Sequence, residues 1–210
     1  MHLSTQYKTR LVCRGLVFGL LLLGITSALS AQESKNKFPH FEIGGQFIAL
    51  NIPSSRVGCG GCRVYNSGLG VNVGANLRSW FGLDAALNFF PDPGSGADNL
   101  QGGRITQGLF GVKLGFRRDR WGVFAKARPG FVSFGRAITG VVQGPPPSFS
   151  FQFGRLTHFA TDLGGIFEYY PSSRIAFRLD LGNTLVRYQT PARSFTQGNF
   201  QVSTGVVFRF

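Results

Sequence analysis

Two closely spaced cysteines are the residues of this sequence best suited to redox or metal chemistry. Cys59 and Cys62 stand in a Cys-Gly-Gly-Cys motif. A thioredoxin-like redox pair needs a helix that starts after the first cysteine, and the residues up to Tyr65 predict none. A structural zinc site needs two further ligands, and the sequence has neither a second such motif nor a nearby histidine. The motif therefore favours a disulfide that closes one loop in an exported chain.

A hydrolytic site would need a nucleophile, a base and an acid within hydrogen-bonding reach of one another. His158 is the only histidine in the second half of the sequence. Two residues further lies Ala160 where a serine would be required, and Thr161 lies on the opposite face of the predicted strand. The sequence therefore predicts no catalytic residue, and it predicts no cofactor and no metal site.

Charged residues form the largest candidate group, and they share one face of the predicted strands. At these positions stand Glu42, Asp84, Lys113, Lys126, Arg128, Asp162, Glu168, Arg178, Asp180 and Arg209. The acids Asp162, Glu168 and Asp180 could serve as paired acid and base catalysts. An unpaired charge is costly where water is excluded, so pairing with the basic residues is the favoured interpretation. We expect an interior network of ion pairs.

Eight strands with a two-residue period must position these charges. Their predicted bounds are Phe38–Asn51, Gly68–Arg78, Phe81–Phe90, Ile105–Arg117, Trp121–Phe134, Leu156–Tyr170, Arg174–Leu185 and Gly198–Phe210. The second strand shows the pattern most clearly, because Leu69, Val71 and Val73 alternate with small or polar residues. Pro129 cannot donate a ladder hydrogen bond, so we expect a bulge in the fifth strand.

The predicted connections alternate strictly between short and long. Tight turns lie around Ser79, Asp119 and Ser172. The long connections are residues 53–67, 91–104, 135–155 and 186–197. An even number of strands with this alternation is typical of a membrane barrel, with short turns on one side and long loops on the other.

Aromatic residues provide an independent indication of a membrane. They gather at the short-turn end and at the chain termini: Phe38, Trp80, Phe81, Trp121, Tyr169, Tyr170, Phe208 and Phe210. Rings at one common level are typical of the girdle that a barrel places at a bilayer interface.

The first residues predict a secretory signal peptide over residues 1–31. Three basic residues precede a short apolar run, Gly15 to Ile25, and small residues follow, so that cleavage after Ser30 or after Ala31 fits equally. The apolar run is shorter than the roughly 20 residues that a membrane anchor needs. Residues 32–37 then form a short segment before the barrel of residues 38–210. The third cysteine, Cys13, leaves with the signal peptide.

The chain is strongly basic, with a formal net charge of +13. Loss of Lys8, Arg10 and Arg14 with the signal peptide lowers this charge to +10. A balance this basic is often a sign of nucleic-acid binding. Export and the scattered positions of the basic residues argue against a nucleic acid partner.

The final strand resembles the C-terminal β-signal of bacterial outer-membrane barrels, through Ser203, Gly205, Phe208 and Phe210. The whole mature chain is similar to the small eight-stranded barrels of the OmpA-like superfamily, also called the outer-membrane-protein β-barrel domain. The glycine-rich strands GLGVNVGANL, FAKARPGFVSF and GGIFEYYPSSRIAFRLDLG carry this resemblance.

The resemblance implies an all-β fold: an eight-stranded antiparallel up-and-down transmembrane β-barrel in a bacterial outer membrane. Both termini would then be periplasmic, the long loops extracellular, and the final strand would be read by the outer-membrane assembly machinery. It implies a non-enzymatic protein with a structural or surface-interaction role. The alternatives are a narrow passive channel and, less favoured, a lipid A-modifying enzyme.

Basic residues outnumber acidic ones in the predicted loops. The arginines are Arg56, Arg63, Arg104, Arg136, Arg155, Arg187 and Arg193, against only Asp92 and Asp98. They could pair with lipopolysaccharide phosphates, for which the arginine fork is suited, or remain solvated. Pro145 to Pro147, flanked by Phe149, Phe151 and Phe153, predict a stiff loop tip that could also meet a surface partner. The sequence does not identify that partner.

Overall fold

The computed structural model describes residues 38–53, 63–91, 102–144, 149–189 and 194–210. The predicted signal peptide, the segment of residues 32–37, and Cys59 and Cys62 lie outside these residues. So do Arg56, Arg193 and the proline run. In the part of the chain that the structure describes, no helix is long and apolar enough to cross a membrane.

Eight antiparallel strands close into a single barrel in which each strand pairs with its neighbours in sequence, and β8 pairs with β1. The strands are β1 (Phe41–Pro53), β2 (Arg63–Asn76), β3 (Phe81–Phe90), β4 (Gly102–Arg117), β5 (Trp121–Gln143), β6 (Phe149–Tyr169), β7 (Ile175–Gln189) and β8 (Ser194–Arg209). The predicted eight-stranded up-and-down barrel is confirmed.

Alternate residues of each strand face opposite sides of the wall, as the sequence pattern predicts. On β2, Leu69 is 67% exposed and Asn72 is 1% exposed. Phe110 on β4 and Phe177 on β7 likewise point outward. Most large apolar side chains therefore cover the outside of the barrel, and most polar ones lie inside it.

The strands are staggered around the barrel, as closure requires. Paired residues can be followed from strand to strand around the barrel, starting at Glu42. The path runs through Gly74 and Asp84 to β4, and then through Arg128 and Asp162 to β7 and β8. Continuing the β1–β8 register from there arrives at Ile52, not back at Glu42. The strands therefore tilt relative to the barrel axis, which brings inward residues of distant strands to one level.

The predicted connection of residues 135–155 is wrong. β5 continues to Gln143 and β6 begins at Phe149, so that only a short connection joins them. Two register shifts, at Phe134/Ala137 and at Ile138/Gly140, interrupt the period-two pattern there. β2, β4, β7 and β8 also extend into the predicted loops. The bulge predicted at Pro129 is absent, because the β4–β5 register is the same on both sides of that residue.

The extension of β5 and β6 forms a two-stranded arm, which we call the β-arm: Ala137–Gln143 with Phe149–Gly154. Pairing between β4 and β5 ends at Gly102↔Arg136, and pairing between β6 and β7 ends at Ala160↔Val186. Among the described residues, the β-arm strands therefore pair only with each other. No residue from 137 to 154 is charged.

The aromatic girdle at the short-turn end is formed by outward rings, among them Trp80, Trp121, Tyr169 and Phe210, which are all exposed. Tyr170 was predicted to belong to this girdle, but it is 5% exposed and lies inside the barrel. Tyr170 lies one residue beyond Tyr169 and therefore points to the other side of the wall.

Candidate functional site

The barrel interior is built in layers, and an ion cluster occupies the layer nearest the short turns. Lys113 Nζ lies 2.6 Å from Glu42 and 3.3 Å from Glu168, and Arg117 Nη2 lies 3.0 and 3.4 Å from the same two carboxylates. Arg209 Nε lies 3.8 Å from Glu42. We call these five residues the turn-end cluster. Its three cations outnumber its two carboxylates.

Aromatic rings complete this layer. Tyr170 donates a hydrogen bond to Glu168 at 2.7 Å and accepts one from Arg117 Nε at 2.9 Å. The Arg209 guanidinium lies 4.0 Å from the centre of the Tyr170 ring, within the range of a cation–π contact. The inward ring of Phe124 lies 5.2 Å from Lys113 Nζ. The rings thus shield the cations at this end of the barrel.

A second ion cluster, the central cluster, lies deeper in the barrel. It consists of Asp84, Lys126, Arg128, Asp162, Arg178 and Asp180, which balance three cations against three carboxylates. Arg128 contacts all three acids, with Nη1 2.7 Å from Asp84 and Nη2 2.5 Å from Asp162 and 3.0 Å from Asp180. Both Nη atoms of Arg178 donate hydrogen bonds to the Asp84 carboxylate, at 2.7 and 2.9 Å. The bidentate geometry orients the Arg178 guanidinium.

Neutral amides form the next layer toward the loops. Gln46 donates to Asn88 at 2.6 Å, Asn88 donates to Gln107 at 2.8 Å, and Gln107 donates to Gln201 at 3.0 Å. Thr184 also donates to Gln201, at 3.0 Å. A chain of hydrogen bonds thus crosses the interior and satisfies buried groups that would otherwise be costly.

An apolar cluster, the plug, fills the interior at the loop end. Its members are Ile48, Leu50, Ile52, Phe90, Ile105, Val132, Phe134, Ala160 and Val186. The His158 ring lies beside it, 6.0 Å from the ring of Phe134 and 5.0 Å from that of Tyr188. Because the plug lies beyond the amide layer, polar and apolar layers together fill the barrel.

All ten interior charges singled out from the sequence are buried, and their ion pairs form two clusters. Arg117 was not among the predicted interior charges, although it lies four residues after Lys113 on β4 and therefore faces the same side of the wall. The plug was not predicted either, although Ile48 and Leu50 continue the polar face of β1 that begins at Glu42. The two-residue period of the strands alone predicts that these residues face the interior.

Among the residues that the structure describes, no hydrolytic site is assembled around His158. Its ring is buried among Phe134 and Tyr188, and Thr157 next to it points outward. Asp162 and Asp180 share Lys126 and Arg128, while Glu168 belongs to the turn-end cluster. Among the described residues, no group of three or more histidines, cysteines, aspartates or glutamates could hold a metal ion.

The residues of the predicted assembly signal lie on both faces of the final strand. Ser203 is buried in the interior, and Phe210 is 73% exposed. A side chain at Gly205 would place its Cβ 2.2 Å from the carbonyl oxygen of Gly45, so only glycine fits against β1. The Phe210 carbonyl accepts a hydrogen bond from the His40 amide at 2.8 Å, which ties the terminus to the start of the barrel.

Comparisons with known proteins identify the fold. The profile of the family described as "Outer membrane protein beta-barrel domain" matches residues 18–210. Neisserial surface protein A is similar in structure, with a TM-score of 0.55 at 12% identity over 81% of this chain and 97% of that one. Ail, the attachment invasion locus protein of Yersinia pestis, was solved in complex with the heparin analogue sucrose octasulfate. It gives a TM-score of 0.53 at 10% identity over 82% of this chain and 99% of that one. No curated protein matches the sequence significantly.

Proposed function

Because this chain belongs to the outer membrane protein beta-barrel domain family, we propose that it is a non-enzymatic integral protein of the bacterial outer membrane with a structural or surface-interaction role. The observation that carries this proposal is the arrangement of its two faces. Phenylalanine, leucine and valine are exposed on the outside, while eleven charged side chains are enclosed inside. Such a wall is suited to lipid hydrocarbon on its outer face and to a polar interior on its inner face.

The orientation follows from the same proposal. Residues 1–31 act as a signal peptide, cleaved after Ser30 or Ala31, and residues 38–210 form the membrane barrel. Both termini and the short turns face the periplasm, while the loops and the β-arm face the outside of the cell. Ser203, Gly205, Phe208 and Phe210 are read by the barrel-assembly machinery, and Cys59 and Cys62 form a disulfide in the first loop.

The filled interior supports a structural role over a passive channel. Asp84, Asn88, Gln107 and Thr184 are all fully buried, at two successive levels of the barrel. Single-channel recording of the purified, reconstituted protein tests this role, and we expect no ion-selective steps. Reproducible steps would instead favour the channel.

The exposed arginines at the loop end support an interaction with lipopolysaccharide. Arg104, Arg136, Arg155 and Arg187 all point away from the interior. Arginine pairs with phosphate in a bidentate manner, and phosphates border the hydrocarbon of the outer leaflet.

Fractionation of cell envelopes tests the location directly. We expect the protein in the outer-membrane fraction, with a heat-modifiable gel shift because a closed barrel resists detergent until it is heated. Recovery in the soluble fraction would contradict the proposed function.

A further inference from the structure

The outer wall of the barrel has a groove where the apolar surface is interrupted by small residues. The groove has a volume of about 370 Å³ and lies on the outward face of four neighbouring strands, β2 to β5. The outward positions that line the groove include the small residues Ala85, Gly108 and Pro129, whereas the outward positions next to them carry larger side chains. Leu87 and Phe110 border the groove. The Phe131 ring lies over Gly108, because a Cβ added at Gly108 would be 2.6 Å from that ring.

A row of hydroxyl groups lies directly beyond the groove, toward the loops. Thr106 of β4 pairs with Ser133 of β5, which pairs with Thr157 of β6. Thr157 donates a hydrogen bond to Ser133 at 3.0 Å. The row places polar groups at one level on three adjacent strands, next to an otherwise apolar surface.

Three arginines form the next row on the same strands. Arg104 lies on β4, and Arg136 lies at the Phe134/Ala137 register shift of β5, opposite Arg155 on β6. All three are exposed. The Arg136 guanidinium lies 4.5 Å from the centre of the Phe153 ring, which holds it against the wall. The described parts of β7, β8 and β1 carry only one outward arginine at this end, Arg187. Three neighbouring strands therefore carry three exposed arginines at one level.

The spacing of these rows matches the structure of a membrane lipid. Arg104 and Gly108 are four residues apart, about 13 Å along the strand. With a strand tilt near 40°, this corresponds to roughly 10 Å of depth. One leaflet contributes about 15 Å of hydrocarbon. A phosphate at the arginine row would therefore leave an acyl chain at the depth of the groove.

We propose that this wall is a binding site for one phosphorylated acyl lipid of the outer leaflet. The arginine row binds the phosphate, the Thr106 and Thr157 hydroxyls contact the polar backbone of the headgroup, and the groove holds an acyl chain. Ser133 is 8% exposed and holds Thr157 through their hydrogen bond. The proposal rests on the outer-membrane location proposed above and adds a defined site to it. Charge complementarity at one end and an apolar groove at the other select a lipid over a soluble anion.

Native mass spectrometry of the refolded barrel in detergent tests the site. The probes are bisphosphorylated lipid A, phosphatidylcholine and inorganic phosphate. We expect one lipid A to remain bound at activation energies that remove phosphatidylcholine, and we expect millimolar inorganic phosphate not to displace it. Equal retention of the two lipids by the unmodified protein, or displacement by inorganic phosphate, would overturn the proposal.

Matched variants identify the residues. Combined Arg104→Gln, Arg136→Gln and Arg155→Gln should weaken lipid A binding at least about tenfold, the equivalent of 1.4 kcal/mol. Combined Arg78→Gln, Arg118→Gln and Arg120→Gln, at exposed positions of the short-turn end, should leave it unchanged. In the groove, Ala85→Phe should weaken binding, whereas Ala49→Phe, at an outward position of β1, should not. Equal effects within either pair would refute the site.

The same variants distinguish this proposal from the proposed function. Every substitution lies on the outer wall or in an exposed short turn, so each variant should still fold, reach the outer membrane and show the heat-modifiable shift. If the unmodified protein does not reach the outer membrane, the proposed function fails. If all variants reach it and bind lipid A equally, only the lipid site fails.

Discussion

Arg128 is the residue of the central cluster whose loss should be most costly. Its guanidinium makes four hydrogen bonds to Asp84, Asp162 and Asp180, at 2.5 to 3.0 Å, and it is 1% exposed. Arg128→Met leaves three buried carboxylates with two cations. Breaking a buried ion pair by removal of one partner costs about 3–5 kcal/mol. We expect a loss of this size in the free energy of unfolding.

Two further variants serve as controls. Arg209→Met removes another inward arginine, but its nearest carboxylate is 3.8 Å away. The turn-end cluster keeps two cations and two carboxylates after this change. The loss should therefore be about 1 kcal/mol, chiefly the cation–π contact with Tyr170. Combining Arg128→Met with Asp162→Asn restores charge balance in the central cluster, and we expect it to recover part of the stability.

Urea unfolding of the barrel in lipid vesicles measures these differences. Trp80 and Trp121 lie at the short-turn end and report the transition by fluorescence. The reasoning is refuted if Arg209→Met is more destabilising than Arg128→Met, or if the charge-balanced double variant is less stable than Arg128→Met alone.

Three other predictions concern the wall, the terminus and the plug. Val206→Arg should cost about 2–4 kcal/mol because Val206 faces lipid, whereas Ser203→Arg should act by crowding the interior; unfolding in vesicles of different thickness should change only the first loss. Deleting Phe210 should reduce assembly in cells more than folding into lipid in vitro, and equal reductions would argue against a recognition signal. Leu50→Ser should leave the barrel non-conducting, because the amide layer and both ion clusters remain; single-channel steps would mean that the plug alone seals it.

The wall of the barrel could be predicted because each of its faces has one kind of environment. Leu69, Val71 and Val73 alternate with Gly70 and Asn72 without interruption, and lipid on one side imposes that regularity. The same reasoning predicted the inward charges, because an ionised group on the lipid face is costly.

The β-arm could not be predicted by counting every second residue. Each of the two shifts of register, at Phe134/Ala137 and Ile138/Gly140, reverses which side chains of β5 face the same side as before. The sequence of this region also contains several glycines and a run of three prolines, a composition that is typical of loops. Pairing between β5 and β6, and not local periodicity, determines where these strands end.

The interior layers were only partly predictable, for a different reason. Parity assigns Glu42 and Leu50 to the same side of β1, but it does not say which strands meet at each level. That depends on the stagger around the barrel, which brings Lys113 to Glu42 and leaves Asp84 to Arg128 and Arg178. The division into two clusters is thus a property of the register.

The plug gives the barrel an interior that does not depend on its surroundings. Ile48, Phe90 and Val132 pack together as the core of a soluble domain does, and the layers beneath satisfy one another by hydrogen bonds and ion pairs. The closed ladder leaves no open edge around the circumference. Exchange of the outward stripe for hydrophilic residues would therefore leave a complete scaffold, and this wall is a rational starting point for a detergent-free analogue of a membrane barrel.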